Sequence, residues 1–146
     1  MTRVAAVDYG SRRIGLAVAD DETALAFARP AVAARGRRRA AEAVGDLLAR
    51  EGVTRVVVGL PLLETGREGA QAAESRAFGA LLAQRGLEVV YWDERLSSWQ
   101  ARVDLRAAGR RRTRASGEVD SAAARVILQD YLDVQRQPAA SPKETE

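Results

Sequence analysis

Apolar positions along the chain follow two rhythms, and the switch between them outlines the fold. Val4 to Val7 form a continuous apolar run, too unbroken for a half-exposed strand, which predicts a central strand over about 3–8 buried on both faces. The run ends on Asp8, a tight turn bearing Gly10 follows, and a second apolar run predicts a returning strand over about 13–19. A weaker third strand is expected over 25–33, around Pro30. The rhythm then changes to helical spacing. A helix is predicted over about 38–51, with Ala40, Val44, Leu47 and Leu48 on one face and Gly52 as its stop. Val56-Val57-Val58 reads as a short buried strand ending at Gly59-Leu60-Pro61. Ala70, Ala73, Ala77 and Leu81 predict the face of a helix over 69–85, closed by Gly86. Leu87 to Trp92 predicts another strand, closed by Asp93-Glu94-Arg95. A helix over about 98–108, an arginine-rich loop over 109–117 and a final helix over 118–134 complete the series.

Three strands followed by alternating strands and helices imply an α/β domain with a mixed sheet, antiparallel at one side and parallel across the rest. At 146 residues the chain is read as one domain over 1–135. Residues 136–146 hold two prolines and few apolar groups and are expected to be a disordered tail. No apolar run approaches the roughly 18 residues of a membrane span, and charge from Arg3 onward interrupts any secretory signal. A cytoplasmic protein with no membrane partner is the expectation.

Composition removes whole reaction classes. The chain has no cysteine and no histidine. Disulfides, thiolate zinc sites, cysteine nucleophiles and Ser-His-Asp triads are therefore excluded. An enzyme built from this chain must work with carboxylates, as acid/base groups or as ligands for a hard ion such as magnesium, manganese or calcium.

The carboxylates converge in the predicted topology. Asp8 ends the first strand, and Asp93 and Glu94 end a later one. If those strands are parallel neighbours, the acids meet at the edge where ligands collect in α/β sheets. Asp120 precedes Ala123, Ile127 and Tyr131 at helical offsets, so it sits atop the apolar stripe of the last helix and points inward. Glu118, off the stripe, is the better partner for the helix dipole. Clustered carboxylates stay ionised together only beside a cation. One or two divalent ions are the natural counter-charge, and two would suit phosphodiester hydrolysis.

The basic residues have their own pattern. The net charge is only +3, yet 22 of the 23 basic residues are arginine, whose planar fork suits phosphate. Arg35, Arg37, Arg38 and Arg39 form one cluster, and Arg106, Arg110, Arg111, Arg112 and Arg114 another. Arg37, Arg38 and Arg39 fall at a helix start, where positive charge is unfavourable by about a few tenths of a kcal/mol each. The second cluster lies in the loop 109–117, expected to be a mobile basic flap over a phosphate backbone. Trp92 and Trp99 are read as packing residues, and Arg95 as a partner of a neighbouring acid that also lies within reach of substrate.

Five segments now carry a resemblance. Asp8-Tyr9-Gly10, Arg13-Ile14-Gly15-Leu16-Ala17-Val18, Gly59-Leu60-Pro61-Leu62, Asp93-Glu94-Arg95-Leu96-Ser97 and Val119-Asp120-Ser121-Ala122-Ala123 follow one another as in the YqgF/RuvX family, which the chain resembles over 4–134. These are ribonuclease H-like proteins related to Holliday-junction resolvases and described as pre-16S rRNA nucleases. The resemblance implies a five-stranded mixed sheet flanked by helices and an acidic metal site holding one or two Mg2+ or Mn2+ ions. By motif position it implies Asp8, Glu94 and Asp120 as catalytic and metal-holding residues, with Glu94 preferred to Asp93 because related resolvases favour glutamate there. Nucleic-acid contacts are expected from Arg12, Arg13, Arg37, Arg38, Arg39, Arg95, Arg110, Arg111, Arg112 and Arg114. The chain departs from the family at Leu63-Glu64-Thr65-Gly66, where Asn-Met-Asp-Gly is common. It departs again at Ser116-Gly117, where a lysine is common and Arg112 or Arg114 is the substitute.

The leading expectation is a divalent-metal-dependent nuclease acting on structured nucleic acid, foremost in processing pre-16S rRNA ends. Resolution of branched DNA is the alternative, and the protein is expected to act as a monomer or a homodimer. A non-catalytic RNA- or ribosome-binding factor gains nothing from acids clustered near phosphate. An actin-like phosphotransferase needs two such domains, which 146 residues cannot supply.

Overall fold

The computed structural model of the chain describes residues 2–20, 22–94 and 121–136. Its elements run β1 (Arg3–Tyr9), β2 (Arg13–Asp20), β3 (Phe27–Ala33), α1 (Arg37–Arg50), β4 (Val53–Leu60), α2 (Ala70–Gln84), β5 (Glu88–Asp93) and α3 (Ala122–Arg136). The expected helix over 98–108, the loop over 109–117, positions 118–120 of the expected last helix and the tail from 137 onward lie outside the described residues.

The five strands form one sheet in the order β3-β2-β1-β4-β5. β2 pairs antiparallel with both β1 and β3, whereas β4 pairs parallel with both β1 and β5. This is the mixed sheet that the order of elements implies. One expectation needs correction: β1 and β5 are not neighbours, because β4 lies between them. Their carboxyl ends still share one edge, since all three strands run the same way.

Alternation along the strands divides the core in two. Ala5, Val7, Ile14, Leu16, Val56 and Val58 pack against α1 and α2 through Val44, Leu48, Phe78 and Leu82. Val4, Ala6, Ala17 and Val57 pack on the other face against Ala124, Ile127, Leu128 and Tyr131 of α3. β1 is buried on both faces, as its unbroken apolar run predicts. α1 ends as expected: the Gly52 N–H donates to Ala49 O, with Gly52 at a φ of 75° that glycine tolerates best.

The face of α2 differs from the one predicted. Its buried residues are Ala72, Ser75, Phe78, Gly79 and Leu82, while Ala70 and Ala73 are exposed. Alanine recurs around this helix, so apolar spacing does not single out a side. Close approach does: a Cβ on Gly79 would lie 2.5 Å from Tyr91 Oη. The contact face is chosen by small residues that admit β5, two of them not hydrophobic by type.

β3 is an edge strand interrupted by a bulge. Ile14 pairs with Val32 and Leu16 with Arg29, so Pro30 and Ala31 together face Gly15. A proline is tolerated here because it sits at a sheet edge.

Candidate active site

The parallel strands present their carboxyl ends at one edge, together with the β1–β2 turn and the end of β3. Asp8 is the penultimate residue of β1 and shares the parity of Val4 and Ala6, so its side chain leaves the sheet on the α3 face. Its partner on β2 is Gly15. On the other side Val7 pairs with Val58, so the next position along β4 brings Gly59 level with Asp8. Asp8 is thus flanked on both sides by residues without a side chain.

Glu94 follows β5 in a tight turn and is 9% exposed, one of three buried polar or charged side chains among the described residues. A Cβ built on Gly59 would lie 2.8 Å from Glu94 Oε2, 3.2 Å from its Cγ and 2.9 Å from Ile127 Cδ1. The Glu94 carboxylate therefore lies over Gly59, on the α3 face, one strand spacing of about 5 Å from the Asp8 strand. Trp92 belongs to the same face and meets Tyr131 edge-on, with ring centroids 5.7 Å apart. The packing role expected of Trp92 is what is found.

Asp93 shares the parity of Tyr91, which packs on the opposite face. Of the two adjacent acids, the structure brings Glu94 towards Asp8 and leaves Asp93 on the other side. Asp120 lies outside the described residues, and so do Arg95, Arg110, Arg111, Arg112, Arg114 and Trp99. Among the described residues no group of three metal-ligating side chains forms.

Ser121, next to Asp120 in the chain, has no exposed surface. Its Oγ accepts the Leu16 N–H at 2.9 Å and donates to the Arg29 carbonyl at 2.5 Å, bridging β2 and β3 beside the bulge. The origin of α3 is thereby fixed one residue along β2 from the Asp8–Gly15 pair. Sequence reading gave Ser121 no role, Gly15 only that of a hairpin glycine and Gly59 only that of ending a strand. The signal was present as small residues beside a strand-end acid and a serine at the head of a buried helix.

The same edge is ringed by arginine. Gly10 N–H donates to Arg13 O at 3.1 Å in the β1–β2 turn, and Ala34 N–H donates to Arg12 O at 2.9 Å, tying the end of β3 to it. α1 begins directly after, with Arg37, Arg38 and Arg39 in a first turn that holds no acid and no side-chain cap. Arg12, Arg35, Arg38 and Arg39 are exposed, and none of the ion pairs among the described residues involves them. Arg13 is exposed as well. Arg37 is committed elsewhere, to Glu74 of α2, which together with Tyr9 raises its pKa. Several arginines away from this edge are paired: Arg3 and Arg29 with Glu51, Arg55 with Glu88, and Arg85 with Asp46.

The sequence model of the RuvX family, described as "Holliday junction resolvase", matches residues 2–134. The chain belongs to the RuvX family. It is 42% identical over 133 residues to a protein of Chloroflexus aggregans, covering 90% of this chain and 94% of that one. It is 41% identical over 130 residues to a Thermus thermophilus protein, covering 89% and 96%. Both relatives are named "Putative pre-16S rRNA nuclease". Solved structures show the same fold at low identity. Thermus thermophilus RuvC in complex with a Holliday junction superposes with a TM-score of 0.61 at 18% identity, over 95% of this chain and 98% of that one. The fowlpox virus resolvase with its junction DNA gives 0.58 at 10% identity, over 92% and 99%. The architecture is the ribonuclease H-like one, and membership in RuvX makes the chain a nuclease, a hydrolase of phosphodiester bonds. Among the described residues no helix is long and apolar enough to cross a membrane.

Proposed function

We propose that the chain is a divalent-metal-dependent nuclease that trims the ends of pre-16S rRNA in the cytoplasm, with Asp8, Glu94 and Asp120 as its metal-holding acids. The observation that carries this reading is the placement of Asp8 and Glu94 on one face of the sheet edge, with the Glu94 carboxylate lying over Gly59 on the strand beside Asp8. The donor set fits the ion. With no histidine or cysteine in the chain, the available ligands are carboxylate oxygens, which suit magnesium and manganese. One or two such ions, when bound, would activate water and stabilise the charge of the leaving oxygen.

The protein's own residues supply the rest. Gly15 and Gly59 stand level with Asp8 on the two neighbouring strands, so neither strand sets a side chain beside it. The position of Glu94 over Gly59 leaves it largely out of water, at 9% exposure. Arg12, Arg13, Arg38 and Arg39 at the same edge would receive the flanking phosphates, with Arg37 acting as a tie between α1 and α2. Arg95, Arg110, Arg111, Arg112 and Arg114 extend that role in the proposal.

The RNA substrate is favoured by the curated relatives, which match at 41–42% identity over nearly their whole length. Branched DNA is the second reading, favoured by the family description and by the shared fold of two resolvases whose structures hold junction DNA. The readings differ in assembly. A junction requires two symmetric sites and hence a homodimer, whereas end trimming needs only a monomer.

One experiment tests the reading. Labelled pre-rRNA fragments, four-way junctions and ATP are each incubated with manganese and wild-type or Asp8→Asn protein, with chelator as control. Metal-dependent cleavage of the RNA, abolished in the variant, is the expected result. Cleavage of junctions alone moves the substrate to DNA. Equal manganese binding by wild type and Asp8→Asn in calorimetric titration overturns the metal site.

A further inference from the structure

Gly59 is the penultimate residue of β4, buried and paired with Trp92 of β5, where glycine is an expensive choice. It costs about 0.5–1 kcal/mol relative to alanine through backbone entropy and adds no packing. Its backbone does not demand glycine either, because Gly59 is absent from the positive-φ glycines Gly36, Gly52, Gly66 and Gly86. The neighbouring positions Val56, Val57, Val58 and Leu60 carry buried, bulky side chains. What distinguishes position 59 is what lies above it: Glu94 Oε2 at 2.8 Å and Ile127 Cδ1 at 2.9 Å from where a Cβ would stand. Both are inside the separation that real Cβ atoms keep, so a methyl group here must displace one or both.

We propose that Gly59 is a positioning residue of the active site: its missing side chain is the passage through which Glu94 crosses β4 towards Asp8. This rests on the reading of Asp8 and Glu94 as metal-holding acids. The geometry gives the passage a direction. Glu94 follows β5, two strands from β1, and no strand pairing joins β5 to β1. A glutamate arriving from there must lie flat over β4 to reach the Asp8 strand, and any side chain at 59 stands in its path. A longer acid arm and a bare strand position are two halves of one arrangement. Gly15 clears the other flank of Asp8.

The test separates the Glu94 contact from the core contact. Ile127→Val removes Cδ1 and relieves the clash with α3, so it serves as the background. Gly59→Ala/Ile127→Val then leaves only the Glu94 contact. Melting temperature in chelator, manganese affinity by calorimetry, and kcat and KM for a labelled RNA are compared across wild type, Ile127→Val, the double variant and Asp8→Asn. Ile127→Val is expected to bind manganese as wild type does. The double variant is expected to melt at or above its background, to lose at least tenfold in manganese affinity, and to lose kcat with KM unchanged. A purely structural role for Gly59 predicts the reverse, a lower melting temperature with manganese affinity intact, and that result overturns the proposal. Should the double variant fail to fold, Ile127→Ala replaces Ile127→Val and clears more space. Manganese affinity unchanged in Asp8→Asn defeats the metal-site reading itself. Affinity lost in Asp8→Asn but kept in the double variant defeats the clearance role alone.

Discussion

The Ser121 hydroxyl accepts the backbone N–H of Leu16 at 2.9 Å, across 105 residues of sequence, and passes a hydrogen bond on to the carbonyl of Arg29. The bulge at Pro30 and Ala31 spoils the pairing of β2 with β3 at this level, and the hydroxyl mends it. One side chain therefore closes the sheet edge and fixes where α3 begins, next to Asp120. Ser121→Ala leaves a buried donor and acceptor without that bridge and should destabilise the fold by about 1–3 kcal/mol. Urea unfolding measures it, with the slope unchanged. Turnover at saturating metal should fall further than nucleic-acid affinity, because the start of α3 is loosened while the arginines stay in place. A variant as stable and as active as wild type would show that water bridges the bulge equally well.

Glu94 and Asp93 are adjacent acids on opposite faces, and the Gly59 contact identifies Glu94 as the one directed towards Asp8. Glu94→Gln should lower kcat by 100-fold or more, the loss expected when a group worth several kcal/mol to the transition state is removed. Asp93→Asn should retain turnover within roughly threefold, below the ~1.4 kcal/mol that a factor of ten represents. Single-turnover kinetics on both variants, with circular dichroism confirming the fold, makes the comparison. Activity lost equally in both would show that the two acids act as a pair.

Much of this arrangement was legible in the chain itself. Continuous apolar runs marked the buried strands, Gly52 and Gly86 ended α1 and α2 as expected, and the order of elements implied the mixed sheet. What escaped follows from two physical causes. Alternation within one strand says nothing about which strand lies beside it, so the intrusion of β4 between Asp8 and Glu94 was invisible. Hydrophobic periodicity also registers large apolar side chains and overlooks small ones. Gly59, Gly79 and Ser121 each decide a contact by being small or by bonding backbone, and none contributes to an apolar stripe. Arg37, Arg38 and Arg39 look alike in the chain, and the ion pair with Glu74 that sets Arg37 apart exists only in three dimensions.

Arg12, Arg38 and Arg39 ring the edge that carries Asp8, and none of the ion pairs among the described residues engages them. Arg12→Ala/Arg38→Ala/Arg39→Ala should weaken nucleic-acid binding and flatten its salt dependence. Each lost contact removes about 0.9 from the slope of log affinity against log salt for duplex, or about 0.7 for a single strand. The same variant should be slightly more stable in chelator, by a few tenths of a kcal/mol for each charge removed from the α1 start. Weaker binding with greater stability is a combination that a structural role cannot produce. Arg85→Ala, which breaks a pair with Asp46 away from this edge, should leave the slope unchanged. A triple variant with the wild-type slope would place the phosphate contacts elsewhere.

Glu51 gathers Arg3 from β1 and Arg29 from β3 just beyond the end of α1, with Arg29 Nε at 2.8 Å, Arg29 Nη2 at 2.9 Å and Arg3 Nη1 at 3.3 Å. The hydrogen bonds from Arg29 lower its pKa against the opposing push of burial, and the Arg29 and Arg3 charges add to the effect. A carboxylate depressed on folding contributes stability above its unfolded pKa and loses it as pH falls through the folded one. Glu68, also lowered by Arg76, is solvent-exposed and screened, so the Glu51 centre dominates this part of the acid response. Glu51→Gln should cost about 1 kcal/mol at pH 7. The gap to wild type should hold down to about pH 5, then close below the ordinary glutamate value of about 4.3. Denaturant unfolding at stepped pH reads this directly, and a gap that persists to pH 3 would mean that the pair is held by packing and not by charge. Manganese affinity at pH 7 should stay at the wild-type level, because Glu51 lies at the end of the sheet away from Asp8 and Glu94.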